Sequence, residues 1–208
     1  YVNAAKLAKR AGFDGVEIHG ANGYLLDQFI TVHTNERTDE YGGDLVNRLR
    51  IYDDVITSIR KAVGDDFTIG IRFSQGKVND FEYKWPAKDD DAKYTFELAS
   101  KCGVDYIHTT EHNAKKSAFT DGLSLAELAK KHGNVPVIAN GSIVNGNDAN
   151  FMIDTHQADV IAVGKMALAN PDWPNVIRNQ QKLKEFNFEM FNPLADLKTA
   201  NEFLAKRD

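Results

Sequence analysis

The sequence has one cysteine, no long apolar segment and no block of positive charge. Cys102 has no second cysteine with which to form an internal disulfide, which favours a reducing compartment. No apolar run is long enough to cross a bilayer and no cleavable signal pattern is visible, so we expect a cytoplasmic protein. The formal net charge of -5 provides no basic field for nucleic acid or for an anionic membrane surface.

Short apolar segments alternate with amphipathic ones along most of the chain. Such alternation, without a hairpin signal, is typical of an α/β fold in which helices cover a parallel sheet. A helix is predicted near residues 1–10. The predicted strands are 15–19, 68–74, 105–110, 135–140 and 159–164, and the helices between them are 44–63, 89–102, 123–132 and 147–156.

The motif G-x-G-x-x-G, which usually follows an early strand of a doubly wound sheet, is absent from this sequence. Its absence favours a (β/α)8 TIM barrel, which needs eight units in roughly 250 residues. The sequence contains about five such units with a helix in front. We therefore expect the chain to be the carboxyl-terminal part of a barrel.

A polar cluster of His19, Asn22 and Tyr24 stands at the carboxyl end of the first predicted strand. In parallel α/β folds the carboxyl ends of strands carry the chemistry, because the strand is rigid and the loop after it is free to vary. All three side chains can donate hydrogen bonds. The cluster therefore predicts an active site, although a structural histidine and a core aromatic residue at the start of a helix are the alternatives.

Several motifs resemble those of the old yellow enzyme family, the FMN-dependent NAD(P)H oxidoreductases, which are TIM barrels. The longest are AGFDGVEIHGANGYLLDQF at 11–29 and NERTDEYGGDLVNR at 35–48. Shorter ones are GIRFS at 70–74, ANGS at 139–142 and VGKMALANPD at 163–172. The resemblance spans residues 1 to about 180, and it implies that the five predicted strands are strands 4–8 of the barrel.

The resemblance implies roles for the polar cluster. Residues matching His19 and Asn22 donate hydrogen bonds to the carbonyl or nitro oxygen of the substrate, where negative charge grows during hydride addition. The residue matching Tyr24 gives a proton to the α-carbon of the alkene.

Arg72 is the only charge in an otherwise apolar predicted strand. An unpaired cation there would be costly to bury, so it needs a negative partner. The resemblance places this arginine beside N1 and O2 of FMN. A salt bridge to Glu17 is the alternative, and the two roles are compatible.

Glycines at two later strand ends predict a phosphate site. Gly141 and Ser142 end the fourth predicted strand, and Gly164 and Lys165 end the fifth. TIM barrels commonly bind phosphate with the loops after their last two strands, and the resemblance assigns these positions to the FMN phosphate. Lys165 replaces the usual arginine, which keeps the charge but loses the bidentate fork. Turn glycines without a ligand are the alternative.

No metal site is expected. His108, Glu111 and His112 lie on a strand and loop, where they lack the helical H-E-x-x-H spacing of zinc proteases. No cysteine follows Asp172, so the branch of the family with an iron–sulfur cluster is not expected either. We assign residues 1–180 to the barrel and leave residues 181–208 as a tail of unassigned role.

The resemblance implies an enzyme that uses FMN, with NADH or NADPH as reductant, to reduce activated alkenes, quinones or nitro compounds. Two alternatives stay open: a half-barrel that binds no flavin, and another phosphate-binding barrel such as an aldolase or isomerase. The latter usually needs a Schiff-base lysine or a carboxylate base on a strand, and Lys165 is the only lysine that the sequence places at a strand end. The expected partner is a small-molecule substrate, and a homo-oligomer is possible.

Overall fold

The structure is a computed structural model that describes residues 1–206. The chain forms two compact units: the first contains Tyr1–Ile143 and Asn150–Ala162, and the second contains Val144–Ala149 and the residues from Val163 onward. The elements in chain order are α1 (Val2–Arg10), β1 (Gly15–Asn22), α2 (Leu25–Ile30), α3 (Leu45–Val63), β2 (Thr68–Lys77), α4 (Asp89–Lys101), β3 (Tyr106–Thr110), α5 (Leu125–Gly133), β4 (Val137–Asn140), α6 (Gly146–Asp154), β5 (Val160–Ile161), α7 (Lys165–Ala169), α8 (Trp173–Arg178), a 3-10 helix (Phe188–Phe191) and α9 (Leu197–Ala205).

The sheet of the first unit has the strand order β1-β2-β3-β4-β5, and all four pairings are parallel. Strands and helices therefore alternate along the chain, and the strands form one parallel sheet, as the sequence predicts. Because every strand runs in the same direction, the five carboxyl ends meet at one edge of the sheet. This edge carries the loops after β1, β2, β3 and β4.

Local signals set the ends of the longer helices. The side chain of Asp44 accepts a hydrogen bond from the amide of Asn47 at the start of α3, and Gly64 ends that helix with a φ of 80°. Ser124 and Glu127 form a reciprocal capping box at the start of α5. These caps explain why both helices begin within two residues of their predicted positions.

The core of the first unit lies between the sheet and the helices. Phe73 of β2 stacks on Tyr52 of α3, with ring centroids 5.4 Å apart, and meets Phe96 of α4 edge-on at 5.9 Å. Ile69 and Ile71 are also fully buried. Since side chains alternate along a strand, the intervening residues of β2 point to the opposite face of the sheet. That opposite face, called here the polar face, carries Glu17, His19, Arg72, Tyr106 and His108.

Boundaries of all five strands differ from the prediction: β1 ends at Asn22 rather than at residue 19, and β3 and β4 begin one and two residues later than expected. β2 and β5 differ as well. β2 continues three residues beyond Ser74 and ends at Lys77, because its extension pairs with Asn22 across a register irregularity. There, four steps along β2, from Phe73 to Lys77, face two steps along β1, from Gly20 to Asn22. Lys77 therefore also stands at a strand end, and the prediction that Lys165 alone does so was wrong. β5 contains only two residues, Val160–Ile161, and α7 begins at Lys165 with Gly164 as its N-cap residue.

The second unit contains an aromatic cluster. The ring of Phe186 lies 4.8 Å from that of Phe188 and 6.0 Å from that of Phe191. Of the predicted tail, residues 207 and 208 lie outside the described residues, so its assignment as a separate segment stays a prediction. Among the helices described for residues 1–206, none combines the length and apolarity that crossing a membrane requires.

Candidate functional site

The turn after β1 holds two of the predicted catalytic residues. Asn22 has a φ of 62° and Gly23 a φ of 83°, so two successive residues adopt the left-handed conformation. Glycine and asparagine are the residues that do so at the lowest cost. The amide of Tyr24 then donates to the carbonyl of Ala21 at 3.2 Å and closes the turn.

His19 and Tyr24 lie side by side at this strand end. Their ring centroids are 5.2 Å apart, and both side chains are exposed, Tyr24 to 54%. Partial burial and the positive charge of Arg72 lower the pKa of His19 below its ordinary value of 6.5. At neutral pH the imidazole is therefore uncharged and keeps one N–H donor. The structure thus brings His19 and Tyr24 together, with Asn22 in the turn between them.

Arg72 is paired as the sequence analysis suggested. Its Nη2 lies 2.6 Å from Oε1 of Glu17, which confirms the salt bridge that was given as the alternative to the flavin contact. Arg72 is also the register partner of His19 on the adjacent strand. Its Nε is buried and has no hydrogen-bond partner among the described residues. The Nη2 end of the guanidinium is therefore paired with a carboxylate, while its Nε–H remains available for a further acceptor.

Glu17 is a common acceptor on the polar face. Its Oε2 accepts from the hydroxyl of Tyr106 at 3.1 Å and lies 2.9 Å from Nδ1 of His108. The Tyr106 ring reaches Glu17 by crossing over Gly70, where an added Cβ would lie 1.9 Å from Cζ of that ring. Burial alone would raise the pKa of Glu17, but the hydrogen bond and charge of His108, the charge of Arg72 and the Tyr106 hydroxyl together lower it.

The remaining residues considered for a metal have other partners. Glu111 accepts from the amide of Gln75 at 2.9 Å and lies 3.3 Å from Nζ of Lys84. The carbonyl of His112 accepts from the hydroxyl of Ser142. In the part of the chain that the structure describes, no group of three or more His, Cys, Asp or Glu residues is arranged to hold a metal ion.

Gly141 and Ser142 follow β4 directly. Gly141 has a φ of 146°, and a Cβ there would lie 2.3 Å from the carbonyl oxygen of Glu111, so only glycine fits. Ser142 has a φ of 49°, and its hydroxyl donates to the carbonyl of His112 at 2.5 Å. The hydroxyl hydrogen is thus occupied, which leaves the oxygen lone pairs and the backbone for other contacts.

Gly164 and Lys165 belong to the second unit. A Cβ added at Gly164 would meet no atom within 4 Å in the described part of the chain. The Lys165 ammonium lies 5.3 Å from the ring centroid of Phe188 and 5.9 Å from that of Phe186. Cation–π contacts of this kind hold a positive charge without neutralising it.

A buried ion pair that sequence reasoning missed lies beneath the turn. Nζ of Lys77 is 2.7 Å from Oδ1 of Asp27, and the two side chains are 2% and 0% exposed. The other carboxylate oxygen of Asp27 accepts from the amide of Gly23 at 2.5 Å. The available signal was a single acidic residue within the apolar segment Leu25–Ile30, which needs a partner just as Arg72 does.

Comparison with known proteins gives the same family over most of the chain. The NADH:flavin oxidoreductase / NADH oxidase family matches residues 1–184. An NADH oxidase of Thermoanaerobacter brockii is 37% identical over 183 residues, which are 84% of this chain and 28% of that protein. The 12-oxophytodienoate reductase 2 of Arabidopsis thaliana is 33% identical over 192 residues, covering 90% of this chain and 50% of the relative.

Solved structures agree with these relatives. The old yellow enzyme homologue from Zymomonas mobilis superposes with a TM-score of 0.83 at 30% identity and covers 98% of this chain and 56% of that one. Morphinone reductase in complex with tetrahydroNAD gives a TM-score of 0.81 at 30% identity, covering 97% of this chain and 53% of that one. The chain thus spans about half the length of these structures, and its five β/α units are those of a TIM barrel. It belongs to the NADH:flavin oxidoreductase / NADH oxidase family, which confirms the resemblance to the old yellow enzymes.

Proposed function

We propose that the protein is an FMN-dependent oxidoreductase that uses NADH or NADPH to reduce activated alkenes, quinones or nitro compounds. The observation that carries the proposal is the grouping of His19, Asn22 and Tyr24 at the carboxyl end of β1, with Arg72 beside His19 in the sheet register. The grouping therefore combines hydrogen-bond donors at the end of β1 with an arginine on the neighbouring strand β2. Family membership gives the grouping its chemical context.

The residues of the first unit suit a flavin. Arg72 is 35% exposed, and its buried Nε, which lacks a partner among the described residues, offers a donor to an electron-rich ring edge. Gly141 and Ser142 would contact the phosphate through backbone N–H groups. The phosphate role of Gly164 and Lys165, in the second unit, stays a prediction from the resemblance. When bound, FMN supplies hydride exchange between the nicotinamide and the substrate.

His19 and Asn22 would polarise the substrate. The neutral imidazole and the amide each present an N–H to the carbonyl or nitro oxygen, and they stabilise the negative charge that develops there. Because their donors are fixed on β1 and on the left-handed turn, little reorganisation is needed during the reaction. Because the pKa of His19 is lowered, its imidazole carries no positive charge that would repel the guanidinium of Arg72.

Tyr24 would supply the proton. Its hydroxyl stands at an exposed position beside His19, and a phenol is uncharged at neutral pH while still able to donate. The proposed role is to protonate the α-carbon of an alkene. A quinone differs, because its oxygens can take protons from water.

The aldolase or isomerase alternative gains no support from Lys77, although that lysine stands at a strand end. Its side chain is only 2% exposed and is ion-paired to Asp27, so its nitrogen is not available to attack a carbonyl carbon. The single cysteine supports a cytoplasmic location, which we also propose.

The test is a spectrum and an assay on the intact gene product that contains this chain. We expect a purified protein with visible flavin absorbance that consumes NADH or NADPH in the presence of an enone. A His19→Ala variant that keeps flavin but reduces the enone slowly would support the assigned site. A protein that is colourless after incubation with FMN and removal of the unbound FMN by gel filtration would favour the flavin-free half-barrel instead.

A further inference from the structure

The buried pair of Lys77 and Asp27 lies next to the proposed catalytic turn but contains neither of its catalytic residues. Both side chains are almost fully removed from water. Removing two charges from water is costly, so a buried ion pair is by itself weak evidence of a stabilising role. The position of this pair suggests a different role.

The two oxygens of Asp27 face different partners. Oδ1 lies 2.7 Å from the Lys77 ammonium, and Oδ2 accepts the Gly23 amide at 2.5 Å. Gly23 stands between Asn22 and Tyr24 in the chain. One carboxylate therefore links the end of β2 to the middle of the turn.

The backbone of the turn also rests on the end of β2. Asn22 is the register partner of Lys77. Its backbone N–H donates to Oγ of Ser74 at 2.7 Å, and its backbone carbonyl accepts from the backbone N–H of Val78 at 3.2 Å. A Cβ added at Gly23 would lie 3.2 Å from Cβ of Lys77. A shift at Lys77 would therefore be transmitted directly to the turn.

Each charge of the pair depends on the other. Burial raises the pKa of Asp27 and lowers the pKa of Lys77, and their mutual attraction opposes both shifts. The ring of Tyr83, with its centroid 4.8 Å from the ammonium, gives Lys77 a further favourable contact. Without the ammonium, Asp27 would tend to take up a proton, and a neutral acid is a weaker acceptor for the Gly23 amide than a carboxylate.

We propose that Lys77 is a positioning residue: it keeps Asp27 ionised so that this carboxylate fixes the Gly23 amide and, through it, the placement of Asn22 and Tyr24. The consequence for turnover rests on the proposed function of those two residues. The pair itself does not touch substrate in this scheme.

The test compares four variants of the intact protein. Lys77→Met removes the ammonium. Asp27→Asn/Lys77→Met removes both charges but keeps a side-chain oxygen for Gly23, whereas Asp27→Ala/Lys77→Met removes that oxygen as well. Lys130→Met is the matched control, because it breaks a pair with Asp159 that is equally short, 2.7 Å, but partly exposed.

Three quantities are measured for each variant: the ratio of enone to quinone turnover, the hydrogen-exchange protection of the Gly23 amide, and the urea midpoint. In Lys77→Met we expect the ratio to fall by about ten- to a hundredfold, since a displacement of about 1 Å can cost a hundredfold in rate. Gly23 protection should fall with it. The Asn/Met variant should recover both only in part, because a neutral amide oxygen is also a weaker acceptor than a carboxylate. The Ala/Met variant should show a low ratio, and Lys130→Met should leave the ratio unchanged.

The positioning role is overturned if Lys77→Met keeps the turnover ratio and the Gly23 protection, or if the ratio merely follows the urea midpoint through all variants. The proposed function fails in a distinguishable way, because a parent protein without flavin or enone reduction would refute it directly. In that case Gly23 exchange still decides whether the ion pair holds the turn.

Discussion

Oε1 of Glu17 and Nη2 of Arg72 lie 2.6 Å apart on neighbouring strands, and this contact organises the polar face. The carboxylate offsets the charge of an arginine that stands in an otherwise apolar strand. Its second oxygen is taken by Tyr106 and His108 from the next strand. Glu17 therefore connects β1, β2 and β3 next to Arg72, the residue proposed to contact the flavin.

The first prediction concerns the pH dependence of stability. The pKa of Glu17 is lowered in the folded protein, so its contribution to stability is present above its ordinary value of 4.5 and is lost as pH falls through the lower folded value. Glu17→Gln should lose stability at neutral pH and should show a flatter decline below pH 4.5 than the parent. Urea unfolding at several pH values measures this, and parallel curves for the two proteins would contradict it.

A second prediction uses the close approach of Tyr106 to Gly70. Gly70→Ala places a Cβ 1.9 Å from the Tyr106 ring, so the ring must move away from Glu17. We expect a loss of about 1–3 kcal/mol in the free energy of unfolding, the usual cost of overpacking. Gly70→Ala/Tyr106→Ala should lose less than the sum of the two single variants, because the clash is gone. Strict additivity in urea unfolding would argue against the contact.

Local patterns predicted much of this fold. Helix α3 was expected to cover 44–63 and covers Leu45–Val63, because Asp44 and Gly64 are end signals that act within one turn. The Glu17–Arg72 pair was also accessible, since a lone charge in an apolar strand requires a nearby opposite charge.

Features that depend on distant pairing were not predictable in the same way. The extension of β2 to Lys77 contains glycine and polar residues and has no apolar alternation of its own, and it forms because it pairs with Asn22. Asp27 and Lys77 are 50 positions apart, so nothing local joins them. The sequence therefore did not indicate the ion pair beneath the turn, whereas the roles of His19, Asn22 and Tyr24 were proposed from their motif and stay predictions.

A third prediction concerns the charge state of His19. Partial burial and the charge of Arg72 lower its pKa, so NMR titration should give a midpoint below 6.5. Arg72→Gln should raise that midpoint, whereas Arg72→Lys, which retains a positive charge, should leave it low. A midpoint that does not respond to the loss of the arginine charge would show that burial alone sets the value.

Loss of the substrate donors gives a fourth prediction. His19→Ala and Asn22→Ala should each slow alkene reduction by roughly a hundredfold, the size expected when one preorganised donor is removed. In Asn22→Ala, the rate of flavin reduction by NAD(P)H should fall less than the rate of alkene reduction. Stopped-flow measurement of the two half-reactions separates these effects. Unchanged alkene turnover in both variants would mean that the substrate binds elsewhere.

The last prediction separates proton donation by Tyr24 from substrate binding. Tyr24→Phe keeps the ring beside His19, where the centroids are now 5.2 Å apart, and removes only the hydroxyl. Turnover of enones should fall, because the α-carbon needs a positioned proton donor, a contribution of about a hundred- to ten-thousandfold. Turnover of quinones should fall much less, since their oxygens accept protons from water. Steady-state rates on both substrate types, with the flavin content of each preparation as the control, decide the point: equal losses on the two would assign Tyr24 to binding or to the packing of the turn.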